Sequence, residues 1–340
     1  MVQKRFLIAR TDRLGDALLT LPVARELKRA FPDSSVTVLL RRYTQPLAQL
    51  CECIDEVLCD DDFKPGFLSK KLTDELRRGS YDCAFIAHPA PRVLLSSYFA
   101  GIPKRVGRAS NVFQFLLSDK RHQKRSQNKQ HEYMYNLDLL EGTVEQIDRT
   151  PMRLKLTPSL EEYALKMRKS LGFNPANTII IHPGHGGSAL NLSPRAYAEI
   201  ASALSPDMTV LVSVGPGETS VKSSFEPNKN LIFAENIPDA AHLAAVFSDC
   251  LAFVGGSTGP MHLAAALGIP CHVFFPPVKA MTPVRWGPQS EKSRVYMPEL
   301  EACDGLCDKC PDNGCMDTID LNKIIPIIKE EAGKRASSLS

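Results

Sequence analysis

No uninterrupted apolar run in the 340 residues approaches the roughly 18 that a membrane-spanning helix needs. The first residues show neither the apolar core nor the small-residue cleavage site of an export signal. No segment repeats, and no long low-complexity tract breaks the chain. Excess charge is also scarce: the formal net charge is +3, though unevenly placed. Ten cysteines without an export signal lead us to expect reduced thiols in a cytoplasm. What is present, 44% hydrophobic and 23% charged residues, is the composition of a soluble globular protein, long enough for two domains.

The chain is organised around Gly255 to Pro270, GGSTGPMHLAAALGIP, set between the apolar runs Leu251–Val254 and Cys271–Phe275. Ser257 or Thr258 suits a helix cap, Pro260 the first helical position and Gly268 the end. The pattern predicts strand, tight turn, short helix and strand. A glycine-lined helix start offers unpaired N–H groups and a partial positive charge, which suits an anion such as a diphosphate. Two readings stay open here: an anion seat, or a start closed by its own Thr or Ser.

Other elements follow from spacing. Arg5–Ala9 reads as a first strand, and Leu18, Leu21, Ala24 and Leu27 have helical spacing, with the main helix from Pro22 to Phe31. Ser35–Leu40, Glu56–Leu58 and Tyr81–His88 read as strands, and Asp60-Asp61-Asp62 as a solvated loop. His131–Leu140 reads as a helix, and Arg149–Ser159, with Pro151 and Pro158, as a linker. Beyond it come a helix at Leu160–Leu171, strands at Thr178–Ile181 and Met208–Val214, and a helix at His242–Phe247. A last helix is expected at Leu321–Gly333. The expected domains are thus 1–155 and 156–320, with a helix at 321–333 crossing back to the first and a disordered tail at 334–340.

The run Thr258-Gly259-Pro260-Met261-His262-Leu263 and the alanines after it resemble the signature of glycosyltransferase family 9, the heptosyltransferases of lipopolysaccharide assembly. The family has Asp where this chain has Ser257, at a place linked to the donor sugar. The Gly15-Asp16 pair after the first strand, Arg105-Val106-Gly107 and His131-Glu132 also resemble family elements. The resemblance implies a GT-B fold, an α/β architecture of two Rossmann-like domains facing a central cleft. It implies inverting transfer of a sugar, by default heptose from an ADP-linked donor, to a lipopolysaccharide-core or related glycolipid acceptor. Two rivals are a nucleotide-sugar epimerase or hydrolase of the same plan and a non-catalytic nucleotide-sugar-binding homologue.

The resemblance assigns Asp16 as the general base that takes the acceptor proton. Without it, Asp16 reads as an acid that favours a helix dipole. Arg10 and Arg13 flank the same loop; they either hold an anionic acceptor group or pair with Asp12 and Asp16. His88 ends a strand where α/β proteins place ligand contacts. Lys104 to His131 is crowded with bases, among them Arg105, Lys120 and Arg121. The run reads either as a solvated loop or as a cationic surface for an anionic glycolipid or the inner membrane face, each charge contributing about 1 kcal/mol near an anionic bilayer. Peripheral contact with that membrane is therefore expected. Nucleic acid is not, since no aromatic residues alternate with these bases.

For the donor, the loop His182–Ser188 follows a strand, and Gly187 and Ser188 suit backbone contact with phosphate. Leu190 and Leu192 stand where the family has a basic residue and Trp. The resemblance implies Glu218 at the nucleoside, where the residues alone read equally as a surface turn; Ser257 to His262 at the diphosphate and sugar, with His262 otherwise a core histidine; and Lys279 and Arg285 over the nucleotide or else as surface charges. Catalysis is expected to need no cofactor. Cys303, Cys307, Cys310 and Cys315 form C-x₃-C-x₂-C-x₄-C, not a standard zinc spacing, and hold either a structural zinc, an iron–sulfur cluster or free thiols.

Overall fold

Short apolar runs without alternation are what parallel strands covered on both faces look like in sequence. The computed structural model describes residues 3–63, 66–110, 112–184, 186–187, 190–300, 303 and 314–339, and in it these runs form two parallel sheets. The chain divides into Met1–Lys155 and Leu156–Ser340.

The first unit contains β1 (Arg5–Ala9), α1 (Leu14–Leu18), α2 (Leu21–Ala30), β2 (Ser35–Leu40), β3 (Glu56–Cys59), α3 (Lys70–Gly79), β4 (Cys83–Ile86), α4 (Pro91–Phe99), β5 (Lys104–Arg108), β6 (Asp119–Arg121) and α5 (Glu132–Leu137). Its strand order is β3-β2-β1-β4-β5-β6. All pairs are parallel, with Ile8 opposite Val38 on one side and Phe85 on the other. Leu7, Leu39, Leu72, Leu76, Ala84 and Ile86 share one buried cluster. Pro22 sits in the first turn of α2, where its missing N–H costs nothing.

Two segments differ from expectation. Asp60–Asp62 is a 3-10 turn, not a loose loop. Asp60 is buried against Arg92, Asp61 accepts from Arg41 at 2.8 Å, and Asp62 pairs with Arg42. The basic stretch after residue 103 supplies the last two strands. A strand of Lys104–Arg108 composition was illegible because only Val106 in it is a large apolar residue, although Val106 and Gly107 are both buried.

The second unit contains α6 (Pro158–Leu171), β7 (Thr178–His182), α7 (Pro194–Leu204), β8 (Thr209–Ser213), β9 (Leu231–Ala234), α8 (Ala240–Phe247), β10 (Ala252–Gly256), α9 (Gly259–Ala266), β11 (Cys271–Phe274), α10 (Pro283–Trp286), β12 (Arg294–Tyr296) and α11 (Leu321–Leu339). The order β12-β11-β10-β7-β8-β9 repeats that of the first unit read from the other edge. Both are the doubly wound order, and in each the crossover direction reverses beside the unit's first strand, between β1 and β4 and between β7 and β10.

The last helix packs within the second unit. Ile324, Ile328 and Ala332, four residues apart, face α7 and share a core with Tyr197, Ile200 and Leu204. This helix therefore completes the second unit. It also runs on to Leu339, so residues 334–339 are helical rather than a disordered tail.

Ile328→Ala removes a fully buried side chain from this seam. It is expected to lower stability by about 2–5 kcal/mol. The one tryptophan, Trp286, lies in this unit, so its fluorescence during urea unfolding reads the change.

Candidate functional site

In a doubly wound sheet the loops leaving adjacent strands diverge at the reversal point, opening a crevice at the strands' carboxyl ends. In the first unit that point lies between β1 and β4, and the loops carry Arg10, Asp12 and His88. Asp12 bridges them: its carboxylate accepts from Arg10 Nε at 2.7 Å and lies 3.3 Å from His88 Nδ1. Burial works against the charge of Asp12, but His88 and Arg10 overcome it and hold the carboxyl below its ordinary range.

Asp16, in the first turn of α1, meets the same arginine through Nη2, with its side chain 17% exposed. Burial raises its pKa, Arg10 opposes that, and the carboxylates of Asp12 and Glu132 add to the rise, leaving it pushed up to about 6. The third arm of Arg10 turns inward. Nη1 lies 3.5 Å from Glu132 Oε1 and 3.4 Å from Asn136 Oδ1, both on α5. Burial alone would weaken the charge of Arg10, yet three carboxylates raise its pKa and keep it protonated.

Arg10 is thus spent on neighbours within its unit: all three nitrogens have protein partners. Arg13 is exposed at the N-cap of α1. Arg105 also points back into its own chain, donating to Leu116 O at 2.8 Å and to the carbonyl of Ile102, with its guanidinium 5.3 Å from the Tyr98 ring centroid. Arg121 grips Asp119, and the carbonyl oxygens of Asp138 at 3.3 Å and Glu141 at 2.5 Å. Both guanidinium groups therefore tie loops together. Lys120, between them, is exposed.

In the second unit the reversal point lies between β7 and β10, and the two loops there are those singled out in the sequence. Thr258 is the N-cap residue of α9, but its hydroxyl donates to Gly256 O at 3.5 Å and makes no cap bond. The reading in which Thr258 closes its own helix start is thereby removed. The start of α9 therefore carries no cap bond from the Thr258 side chain. Pro260 sits in the first turn and Gly268 ends the helix in the left-handed region, φ +80°.

Asn191 and Tyr197, which sequence reasoning passed over, shape this place. Asn191 Nδ2 donates to Pro183 O at 3.2 Å, and its Oδ1 accepts from Tyr197 Oη at 2.6 Å. A Cβ at Gly256 would lie 2.5 Å from that Oδ1, so only glycine lets Asn191 in. The signal was present: Ser193 caps α7, Pro194 starts it, and Tyr197, Ile200, Ala201 and Leu204 have helical spacing.

Glu218 reaches from the β8 loop to the β7 loop, accepting from Gly186 N at 2.9 Å. Its carboxylate fills the space that a Cβ at Gly184 or Gly215 would take. Gly187 adopts φ +66°; Ser188 lies outside the described residues. After β11, Trp286 connects three expected ligands. His262, 5% exposed, meets its ring edge-on at 6.3 Å, the Arg285 guanidinium lies 4.7 Å from a ring centroid, and Trp286 Nε1 donates to Ala280 O at 3.1 Å beside exposed Lys279. Ser257, Gly259 and Met261 flank the same helix start. Of the four C-terminal cysteines, Cys303 is exposed and Cys315 half-buried; Cys307 and Cys310 lie outside the described residues.

With this geometry in view, the relatives are informative. The model of glycosyltransferase family 9 (heptosyltransferase) matches residues 69–311. A Haemophilus influenzae protein described as a glycosyltransferase is 29% identical over 308 residues, 84% of this chain and 86% of its own. Escherichia coli lipopolysaccharide heptosyltransferase 2 is 24% identical over 320 residues, 86% and 87%. Among solved structures, a family 9 glycosyltransferase of Veillonella parvula superposes with a TM-score of 0.83 at 17% identity, over 98% of this chain and 99% of its own. Escherichia coli ADP-heptose lipopolysaccharide heptosyltransferase II superposes with a TM-score of 0.73 at 20% identity, over 96% and 100%. The two parallel six-stranded α/β sheets place the fold in the GT-B class. With more than half its length matched by the family model, the chain belongs to glycosyltransferase family 9, the heptosyltransferases.

Proposed function

We propose that this enzyme moves a heptose from an ADP-linked donor to a lipopolysaccharide-core or related glycolipid acceptor, with inversion, and that Asp16 is the general base. The single observation that carries the reading is Asp16 itself: a mostly buried carboxylate beside the first unit's reversal point, with its pKa raised toward the range useful for proton abstraction. In the reaction, Asp16 accepts the acceptor hydroxyl proton as that oxygen bonds to the anomeric carbon. The bond from the anomeric carbon to the diphosphate oxygen breaks, and its electron pair leaves with the nucleotide. The amides at the start of α9, with Lys279 and Arg285, meet the charge growing on the diphosphate. No metal enters this scheme.

Glu218 already occupies the amide of Gly186. A carboxylate there repels phosphate and suits hydroxyl donors, which favours a ribose contact. Ser257 presents a neutral hydroxyl where the family has a carboxylate. We assign it to the sugar, so a panel of ADP-, GDP- and UDP-linked sugars tests both the base and the sugar of the donor.

An amphiphilic acceptor accords with an exposed apolar patch on the first unit. Phe67, Val112 and Phe115 are 71%, 75% and 66% exposed, and Phe67 lies 6.2 Å from Phe113. Exposed Lys70, Lys71 and Lys120 lie within a few residues of them in the chain. Among the described residues no helix is long and apolar enough to cross a membrane, so we assign this patch to peripheral contact with the acceptor's bilayer.

Asp16→Asn is expected to fold as the parent does and to lose roughly 10²–10⁴-fold in transfer rate; a variant near full speed removes Asp16 as the base. The sign of the pH dependence follows from the raised pKa. Below about 6 the carboxyl is protonated and cannot take the proton, so the rate rises with pH through about 6 and then levels. An ordinary carboxylate would hold the rate down to about pH 4. Phe67→Ser with Phe115→Ser is expected to weaken co-sedimentation with vesicles containing phosphatidylglycerol at least several-fold while leaving the circular dichroism spectrum unchanged.

A further inference from the structure

Asp16 and Arg10 alone would make a poor base. A carboxylate held by one guanidinium in a buried place is kept charged, its pKa is lowered, and it gives up basicity. At Asp16 burial outweighs the guanidinium, with Asp12 and Glu132 adding to the rise, and the hold of Arg10 is itself divided. Arg10 is shared. One nitrogen serves Asp16, while another faces Glu132 Oε1 at 3.5 Å and Asn136 Oδ1 at 3.4 Å. Glu132 has no exposed side-chain surface, and the same oxygen also meets Nη1 of buried Arg125. Arg125, Glu132, Arg10 and Asp16 thus form a row of alternating charge, running from the 3-10 turn at Arg125–Gln127 through α5 and the β1 loop to α1.

Each end of the row is anchored. Arg125 donates to Gln123 Oε1 through Nε at 3.0 Å and Nη2 at 2.7 Å. His131 Nδ1 accepts from Tyr133 N at 3.3 Å at the start of α5. Asn136 Nδ2 donates to Leu19 O at 3.0 Å and Thr20 Oγ1 at 3.2 Å, and Thr20 Oγ1 donates to Asp16 O at 2.9 Å. So α5 fixes both the backbone that carries Asp16 and the guanidinium that faces it.

We propose that Glu132 is a positioning residue: by drawing Arg10 toward α5 it sets how firmly the guanidinium holds Asp16, and so how readily Asp16 takes a proton. The proposal deepens the reading of Asp16 as base and rests on it. The other titratable groups that face Asp16 are Asp12 on its own loop, Tyr43 after β2 and His88 after β4. Arg125 lies at the far end of the row, beyond Glu132 and Arg10.

Two substitutions act in opposite directions. Glu132→Gln keeps the shape and removes the charge that competes for Arg10, so Asp16 should titrate lower by about one pH unit. Arg125→Met leaves Glu132 with Arg10 as its one cation in the row, which draws the guanidinium from Asp16 and moves the titration upward. Glu132→Asp should restore most of the parent value. The titration is read by carboxyl ¹³C NMR of the ligand-free full chain, and in parallel from the pH–rate profile of transfer. Opposite shifts in the two variants are the expected result. An unmoved Asp16 titration in folded Glu132→Gln overturns the proposal; should that variant unfold, an unmoved titration in Arg125→Met overturns it. Shifted NMR titrations with an unmoved rate profile keep Glu132 as a positioning residue and reject Asp16 as the base.

Discussion

Three carboxylates converge on one buried guanidinium, and this is the constraint that the first unit is built to satisfy. Asp12, Asp16 and Glu132 come from two loop-to-helix junctions and repel one another in a place with little water. Without Arg10 they would not all stay ionised side by side. Arg10 reaches them because β1 ends at the reversal point of the sheet, where the chain leaves the core but has not yet reached solvent. Each contact is modest. Their sharing is what counts, since a cation divided among several anions fixes each less firmly than it would fix one.

The second unit meets its task by other means. There the side chains beside the glycine-rich loops act as spacers. Asn191 braces Pro183 and leans on Gly256, while Glu218 fills the hollow over Gly184 and Gly215. A helix start with no side-chain cap is a small local loss of stability, about 1 kcal/mol against a capped one. Such a loss is tolerated where an outside acceptor supplies the missing bonds. The same strand order therefore frames two different sets of loops, one rich in ionisable side chains and one shaped by glycines that admit Asn191 and Glu218.

Much of this was legible beforehand. Glycine, proline and a following alanine run mark strand, turn and helix from Ala252 to Phe274 because each residue has a local steric reason to be there. The long-range partners were not legible. That Glu132 would stand beside Arg10, 122 positions away, depends on α5 docking on α2, and nothing local to either residue encodes it. The basic run misled for a related reason: Arg105 and Arg121 look like solvent-facing charges until the carbonyl oxygens that receive them are located. In α7 the cues were complete, with Ser193, Pro194 and the apolar spacing all present, but the family pattern drew attention to Leu190 and Leu192 instead.

The packing of α11 on α7 bears on how the protein is made. Ile324, Ile328 and Ala332 are walls of the same core as β7 and β8, which are synthesised far earlier. On the ribosome the first unit can close once the chain through Lys155 has emerged, whereas the second must wait, with Ile200 and Leu204 uncovered, until α11 appears. For that interval its exposed apolar seam is the part of the nascent protein most in need of a chaperone.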